Sequence, residues 1–162
     1  NFYIMNSHHT VAIGTWEGDK QQSIEYNSSI AVGIDCPRAK LRVSILLDTI
    51  QEYQVRYIFS DEEISEAVNE AGLIIGARGI AYEGVLQRKP VIVVGEYGFG
   101  GLVTPDTLHE QYNNYFRGKI NGIKAEYFSL ERLEEEIRRG FALTFQELQM
   151  MSNQTIRFLH NI

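Results

Sequence analysis

The amino-acid sequence predicts an α/β protein built on a doubly wound parallel sheet, with helices on both faces in a three-layer α/β/α arrangement. Short runs rich in Val and Ile, each as long as a strand, alternate with amphipathic segments of about 10–15 residues. These runs are apolar throughout, which is typical of parallel strands buried on both faces. With 162 residues, 44% of them hydrophobic and 22% charged, the chain has the size and composition of a single domain, residues 1–162.

The predicted strands are short segments whose residues suit a pleated, buried backbone. Residues 29–34 and 91–94 are continuous apolar runs of strand length. A turn is predicted at residues 14–18, before a polar stretch at 19–23. In chain order, strands are predicted over residues 2–6, 11–14, 29–34, 55–59, 73–75 and 91–94.

The helices are predicted from apolar residues three and four apart and from residues that suit helix ends. Ser60 and Glu63 fit a capping box, in which each satisfies the other's free amide. Thr104 and Pro105 fit the cap and first position of a helix, and Ser129 can cap the last helical region. In chain order, the first helix is predicted over residues 38–53 and the second directly after the capping box. The third is predicted over residues 79–89, ending before Pro90, and the fourth begins at Thr104. The last two are predicted over residues 130–139 and 141–160, with a break at Gly140.

Composition and charge exclude several classes of protein. The formal net charge is −6, from 15 Lys and Arg against 21 Asp and Glu, which argues against a nucleic-acid partner. The single cysteine, Cys36, excludes an internal disulfide framework and a multi-cysteine zinc site. Side chains of the adjacent His8 and His9 diverge, so no metal site is predicted. No apolar run approaches the length of about 18 residues that a transmembrane segment needs, and no signal peptide is visible, so a cytoplasmic location is expected.

The loops that follow the strands are the candidate binding region, because doubly wound sheets bind ligands beyond the carboxyl ends of their strands. Arg78, Gly79 and Ile80 lie where a predicted strand gives way to a helix, whose free amides attract phosphate or carboxylate. Arg78 can add a bidentate contact, and Glu83, one turn into the helix, can accept from a pair of sugar hydroxyls. The alternative is that Gly79 only turns the chain, Arg78 is solvated and Glu83 favours the helix dipole.

Further candidates lie in the neighbouring loops. Gly98, Gly100 and Gly101 allow a close approach of the backbone to a ligand, although the segment fits neither the dinucleotide fingerprint nor the P-loop. A flexible lid or a plain surface turn is the alternative. Other candidates for ligand contact are Asp35, Arg38, Glu96 and Tyr97.

One segment carries a family resemblance. Residues 71–95 read as an apolar strand, a turn with Gly79, a helix with Glu83, then Lys89-Pro90 and a second apolar strand. The segment resembles the donor-side motif of GT-B-type glycosyltransferases. It departs from that motif at residues 87–88, Gln-Arg, where a glycine commonly stands. The continuation over residues 97–106 is similar to capsule-polysaccharide transferases, which act in building the cell envelope.

The resemblance implies that the chain is the C-terminal, nucleotide-sugar-binding half of such an enzyme, with a Rossmann-like fold. The nucleotide-sugar is then a substrate, and no cofactor or metal is expected. Gly79 and the amide of Ile80 would approach the phosphates, Glu83 would bind ribose or sugar hydroxyls, and Gly98, Gly100 and Gly101 would line the donor. An N-terminal acceptor domain would be the partner, contacted by helix 141–160. It would also supply the general base, so the catalytic residues are unknown.

Two other functions remain open at this stage. The first is a noncatalytic α/β module that binds a nucleotide or phosphate or acts in assembly. The second is half of a nucleotide-sugar 2-epimerase, which has the same fold and a similar Gly/Glu turn. The scarcity of His and Asp in the loops counts against the epimerase, because its chemistry needs several acid and base groups in one cleft.

Overall fold

The first strands of the chain form a small sheet of their own. The computed structural model describes the backbone of residues 2–5, 8–14, 21–119 and 122–160, and the side chains from residue 27 onward within those ranges. Strands β1 (Phe2–Met5), β2 (His8–Gly14) and β3 (Gln21–Asn27) pair antiparallel in the order β1-β2-β3. The predicted strands 2–6 and 11–14 therefore lie outside the parallel sheet, and the prediction missed β3. Most of the predicted turn at 14–18 lies outside the described residues.

A second, five-stranded sheet confirms the predicted α/β class. Its order is β5-β4-β6-β7-β8, with β4, β5, β6 and β7 parallel and β8 antiparallel at one edge. The chain runs from β4 outward to β5, then crosses back to β6 on the other side of β4. The direction in which the sheet grows therefore reverses between β4 and β6. The strands are β4 (Ile30–Gly33), β5 (Val55–Tyr57), β6 (Leu73–Gly76), β7 (Val91–Gly95) and β8 (Gly98–Leu102).

Six α-helices cover this sheet in the described part of the chain. The prediction that residues 104 and 105 begin a helix is wrong, because the helix begins about one helical turn later, at Leu108. Thr104 and Thr107 instead form hydrogen bonds with each other in the turn before it. Gly140 lies inside a helix, and the break falls at residues 142–144. The helices are α1 (Pro37–Ile50), α2 (Ile64–Glu70), α3 (Gly79–Leu86), α4 (Leu108–Asn113), α5 (Leu130–Phe141) and α6 (Phe145–His160).

The three layers follow from the alternation of side chains along the strands. Leu73 and Ile75 of β6 face a core shared with α1 and α5, whereas Ile74 faces a core shared with α2, α3 and α6. Strands β4 and β7 alternate in the same way. Because successive side chains of a strand point to opposite faces, an apolar run such as Leu73–Gly76 is buried on both sides.

The glycine-rich segment 95–101, predicted as a loop, is a hairpin whose second strand closes the sheet. Gly98 and Gly101 adopt φ of 123° and 78°, values that side chains disfavour. Backbone groups of β8 also bond to residues outside the sheet. The Phe99 amide donates to the Ile123 carbonyl at 2.8 Å, the Gly100 carbonyl accepts from Nε2 of the Gln111 side chain at 2.8 Å, and the Leu102 amide donates to the Glu136 carboxylate at 3.2 Å. Long-range contacts therefore make this segment a strand.

Among the residues that the structure describes, none belongs to a helix with both the length and the apolar character needed to cross a membrane.

Candidate functional site

The candidate site is a crevice of about 430 Å³ beyond the carboxyl ends of β4, β5 and β6. It lies at the reversal of the sheet order, where loops from β4 and β6 diverge to opposite faces. Ligands of doubly wound sheets bind at such points. Its polar and glycine lining comes from three strand ends: Gly33 and Asp35 after β4, Ser60 and Asp61 after β5, and Arg78 and Gly79 after β6.

Two glycines let α3 lie close over the strand ends. Gly33 and Gly76 are register partners on β4 and β6. A Cβ atom on Gly76 would lie 2.4 Å from the Gly33 carbonyl oxygen and 2.6 Å from Cγ2 of Ile80. A Cβ atom on Gly33 would lie 2.8 Å from Cδ1 of Ile80. The absence of these side chains therefore allows Ile80, and with it the first turn of α3, to sit at the crevice.

The N-terminus of α3 opens directly into the crevice. Gly79 is the first helical residue, and Arg78 precedes it with φ of 56° and ψ of −124°, an unfavourable conformation for a residue with a side chain. The Arg78 amide donates to the Phe116 carbonyl at 3.0 Å, which helps to hold this conformation. The first amides of a helix have no acceptor within the helix, so those of Gly79 and Ile80 are available to an anion.

The β5 side of the crevice is shaped by the predicted capping box. Oε2 of Glu63 accepts from the amides of Phe59 at 3.0 Å and Ser60 at 3.2 Å. These two hydrogen bonds lower the pKa of Glu63 below its ordinary value, and the bond from the Phe59 amide has the larger effect. The ring of Phe59 is 78% exposed, with the ammonium of Lys40 4.2 Å from its centroid. The capping box therefore fixes the turn that carries Ser60 and Asp61.

The Glu63 interaction predicts a pH-dependent difference in stability. Because folding lowers the pKa of Glu63 from its ordinary 4.5, its stabilisation is present above that value and is lost as pH falls through the lower folded value. Glu63→Gln should therefore be less stable than the wild type at pH 7, and the difference should disappear at an acidic pH below the lowered folded pKa of Glu63. Urea unfolding at both pH values measures this, with Glu62→Gln as the control for loss of one charge. An equal difference at both pH values would contradict it.

Arg78 also lines a second cavity, of about 450 Å³, on the opposite side from β5. Here Oε1 of Glu96 accepts from Nη2 of Arg78 at 2.5 Å and from Nη1 of Arg117 at 3.3 Å. The Arg78 bond is the main cause that lowers the pKa of Glu96, and the same bond raises the pKa of Arg78. Burial, with the neighbouring Tyr112, raises the pKa of Tyr82 in the lining to about 12. This tyrosine is therefore neutral at pH 7.

Glu83, predicted to bind hydroxyls, lies one turn after Gly79. Its Oε1 accepts from Nε2 of Gln87 at 2.7 Å, and Gln87 also donates to the Ser65 carbonyl of α2. Residues four apart share a helix face, and a Cβ atom on Gly79 would point to Ile64 of α2, 3.6 Å away, in the crevice lining. Glu83 therefore lies one turn beyond Gly79 on the α2 side of α3, and it is not among the residues that line the crevice.

The remaining predicted residues lie in three places. Asp35 and Ile80 line the crevice, and Glu96 and Tyr97 lie beside Arg117, which is 4.5 Å from the Tyr97 ring. By contrast, the 80% exposed side chain of Arg38 pairs with Glu126 at 3.6 Å.

The three glycines of β8 have contacts within the protein. A Cβ atom on Gly98 would lie 2.6 Å from the Ile123 carbonyl oxygen, one on Gly100 3.0 Å from Oε1 of Gln111, and one on Gly101 3.3 Å from Oε1 of Glu136. The requirements of the hairpin account for Gly98, Gly100 and Gly101 without a ligand, and their assignment to a donor site stays a prediction.

The sequence reasoning missed Ser60 and Asp61 as crevice residues, and Arg117 altogether. The sequence predicts Ser60 only as a helix cap, although its position after a strand is a signal that could have placed it at the crevice. Arg117 gave no local signal, because its role depends on contact with Glu96, 21 residues earlier. Within the described ranges, no group of three or more His, Cys, Asp or Glu residues could hold a metal ion.

Comparison of the chain with family models, curated proteins and solved structures finds no match. The function is therefore argued from the crevice and its residues.

Proposed function

We propose that the chain binds a nucleotide-sugar in the crevice and serves as the donor-binding domain of a glycosyltransferase of the GT-B type. The observation that carries the proposal is the opening of the α3 N-terminus, with Arg78 and Gly79, at the reversal point of a doubly wound sheet. This position offers free helix amides and a guanidinium to one anionic group. The resemblance of residues 71–95 to the donor-side motif supports the proposal that the anionic group is the phosphates of a nucleotide-sugar.

The proposed contacts divide the ligand into a charged part and a hydroxyl-bearing part. The amides of Gly79 and Ile80 and the side chain of Arg78 hold the phosphates. Carboxylates accept hydrogen bonds from sugar hydroxyls, so the proposal assigns binding of the hydroxyl-bearing part to Glu83 and Asp35. Glu83 gives up or shares its hydrogen bond from Gln87 when the ligand binds.

The chemistry follows from where charge develops during transfer. The anomeric carbon of the donor forms a bond to an acceptor oxygen and breaks its bond to the phosphate oxygen, which leaves with the electron pair. The acceptor hydroxyl loses its proton to a base, which the proposal assigns to the N-terminal acceptor domain. The helix amides and Arg78 stabilise the negative charge on the leaving phosphate, as preorganised donors do. The role of this chain is therefore to bind the donor and to stabilise the leaving group.

The test is calorimetric titration and thermal unfolding of the chain with UDP, GDP, CMP and their sugars. At a concentration of one hundred times its dissociation constant, a ligand of the folded state adds about 2.7 kcal/mol of stability. Glu83→Ala should weaken binding of that ligand about tenfold or more, because it removes a hydroxyl acceptor. Gly79→Ala should weaken it as well, since its methyl group would project toward Ile64 in the crevice. Glu66→Ala, an exposed position on α2, is the matched control and should bind as the wild type does.

The absence of binding by all of these nucleotides and nucleotide-sugars would overturn the proposal. Equal loss of affinity in Glu66→Ala and Glu83→Ala would overturn the assignment of Glu83, because a general charge effect would then explain both.

A further inference from the structure

Arg78 and Arg117 are joined through one carboxylate oxygen at the edge of the crevice. Oε1 of Glu96 lies 2.5 Å from Nη2 of Arg78 and 3.3 Å from Nη1 of Arg117. Both guanidinium groups therefore already converge on a position where an anionic oxygen binds. Both arginines also line the second cavity, and Gly79 of α3 lines that cavity as well as the crevice.

The backbone that delivers Arg117 adopts unfavourable conformations. Tyr115 and Phe116 have φ of 56° and 53°, in a region that costs energy for residues with side chains. Two hydrogen bonds hold the segment, because the Phe116 carbonyl accepts from the Arg78 amide at 3.0 Å and the Arg117 carbonyl accepts from the Tyr97 amide at 2.9 Å. Strain of this kind is found where a side chain must be aimed at a particular place.

The guanidinium of Arg117 is itself fixed before any ligand arrives. Its centre lies 4.5 Å from the ring centroid of Tyr97 and 5.4 Å from that of Tyr115. Its Nε donates to the Asn114 carbonyl at 3.3 Å. Contact with aromatic rings and a fixed hydrogen bond reduce the entropy lost on binding, which makes Arg117 a preorganised donor.

Glu96 is the partly exposed anion of this cluster. Its side chain is 42% exposed, so the carboxylate can turn into water at little cost in desolvation. Asp35 adds a further negative charge near Arg78, and the cluster of two arginines and two carboxylates is neutral. A phosphoryl group carries more charge than a carboxylate and offers three oxygens to two guanidiniums. It can therefore compete with Glu96 for both of them.

We propose that Arg78 and Arg117 form a two-arginine position for a phosphoryl group, which Glu96 occupies until the ligand displaces it. The inference rests on the proposed function and adds Arg117 to the binding residues and Glu96 as an internal competitor. Glu96 thereby sets the affinity and selects ligands with a diphosphate over those with a single weak anion.

The test compares Glu96→Gln with the wild type by titration with inorganic pyrophosphate and with UDP and GDP. Glutamine keeps the shape but not the charge, so affinity for pyrophosphate should rise about tenfold, or about 1.4 kcal/mol. Glu135→Gln is the matched control, because Glu135 is also half exposed and pairs with Arg138 at 2.6 Å on α5. This control removes the same charge elsewhere and should leave the affinity for pyrophosphate within about twofold of that of the wild type. Adding Arg117→Gln to Glu96→Gln should abolish the gain.

The outcomes separate the two proposals. Binding of a nucleoside diphosphate by the wild type, with Glu96→Gln no tighter than Glu135→Gln, would overturn the competitor role and leave the donor site standing. A gain that survives Arg117→Gln would overturn the two-arginine position. Both proposals would be overturned if neither the wild type nor Glu96→Gln binds pyrophosphate, a nucleotide or a nucleotide-sugar. Urea unfolding of each variant establishes that the titrated protein is folded.

Discussion

Replacing Glu136 with alanine should lower the free energy of unfolding by about 3 kcal/mol, since charge-assisted hydrogen bonds contribute about 1.5–3 kcal/mol each. The side chain is 1% exposed, forms an ion pair with Arg132 at 3.0 Å and accepts a hydrogen bond from Arg139 at 3.1 Å. It also accepts from the Leu102 amide at 3.2 Å. Alanine removes these hydrogen bonds, leaves a buried amide without its acceptor and opens a cavity. The two arginines are half exposed and can turn to water, which limits the loss.

Urea unfolding at pH 7 measures this effect, and the chain provides a matched control in the preceding residue. Glu135 is 49% exposed and pairs with Arg138, so Glu135→Ala should change stability by less than about 1 kcal/mol. Glu136→Gln should be intermediate, because an amide oxygen still accepts from the Leu102 amide. A loss in Glu136→Ala no larger than that in Glu135→Ala would show that the carboxylate does not anchor β8 to α5.

Gly76→Ala should destabilise the protein by about 2–3 kcal/mol, the upper part of the range for added volume in a packed core. The new methyl group would lie 2.4 Å from the Gly33 carbonyl oxygen and 2.6 Å from Cγ2 of Ile80. The backbone of β4 cannot move without breaking its pairing with β6, so Ile80 and the start of α3 must shift. Nucleotide binding should weaken for the same reason.

Gly79→Ala is the control for Gly76→Ala, since both add one methyl group near the same helix end. The nearest atom to a Cβ on Gly79 is Cδ1 of Ile64 at 3.6 Å, an ordinary contact. Alanine also suits a helix better than glycine by up to about 1 kcal/mol. Gly79→Ala should therefore match or exceed the wild type in urea unfolding. Equal destabilisation by the two substitutions would refute the close packing of Ile80 over the strand ends.

Much of the parallel sheet could be predicted because its signals are local. Apolar runs such as residues 91–94 are too short for helices and too apolar for surface strands, so they must be buried on both faces. Helix caps are also local, and two of those predicted were confirmed. Oγ of Ser129 accepts from the Arg132 amide at 3.1 Å, and Glu63 accepts from the Ser60 amide at 3.2 Å. The position of α3 after β6 followed directly from the order of these elements.

The segments that were mispredicted depend on distant contacts. Residues 98–102 contain three glycines, which disfavour strands by local propensity, yet Gln111 and Glu136 bind this backbone and stabilise it as β8. Arg117 is likewise brought to the site by the left-handed conformations of Tyr115 and Phe116, for which these bulky residues give no sequence signal. Of the proposed phosphate contacts, Arg78, Gly79 and Ile80 could therefore be inferred from sequence, whereas Arg117 and the two-arginine cluster required the fold.

The contacts of β8 also bear on how the protein avoids aggregation. An edge strand with free amides and carbonyls is a template for pairing with another chain, and proteins cover or shorten such edges. Here Ile123, Gln111 and Glu136 take up backbone groups of β8, while β5 at the other edge has only three residues. Glu136 therefore helps to keep neighbouring molecules from extending the sheet. Removing its side chain would leave the Leu102 amide of this edge strand free to pair with another chain, while the protein is still largely folded.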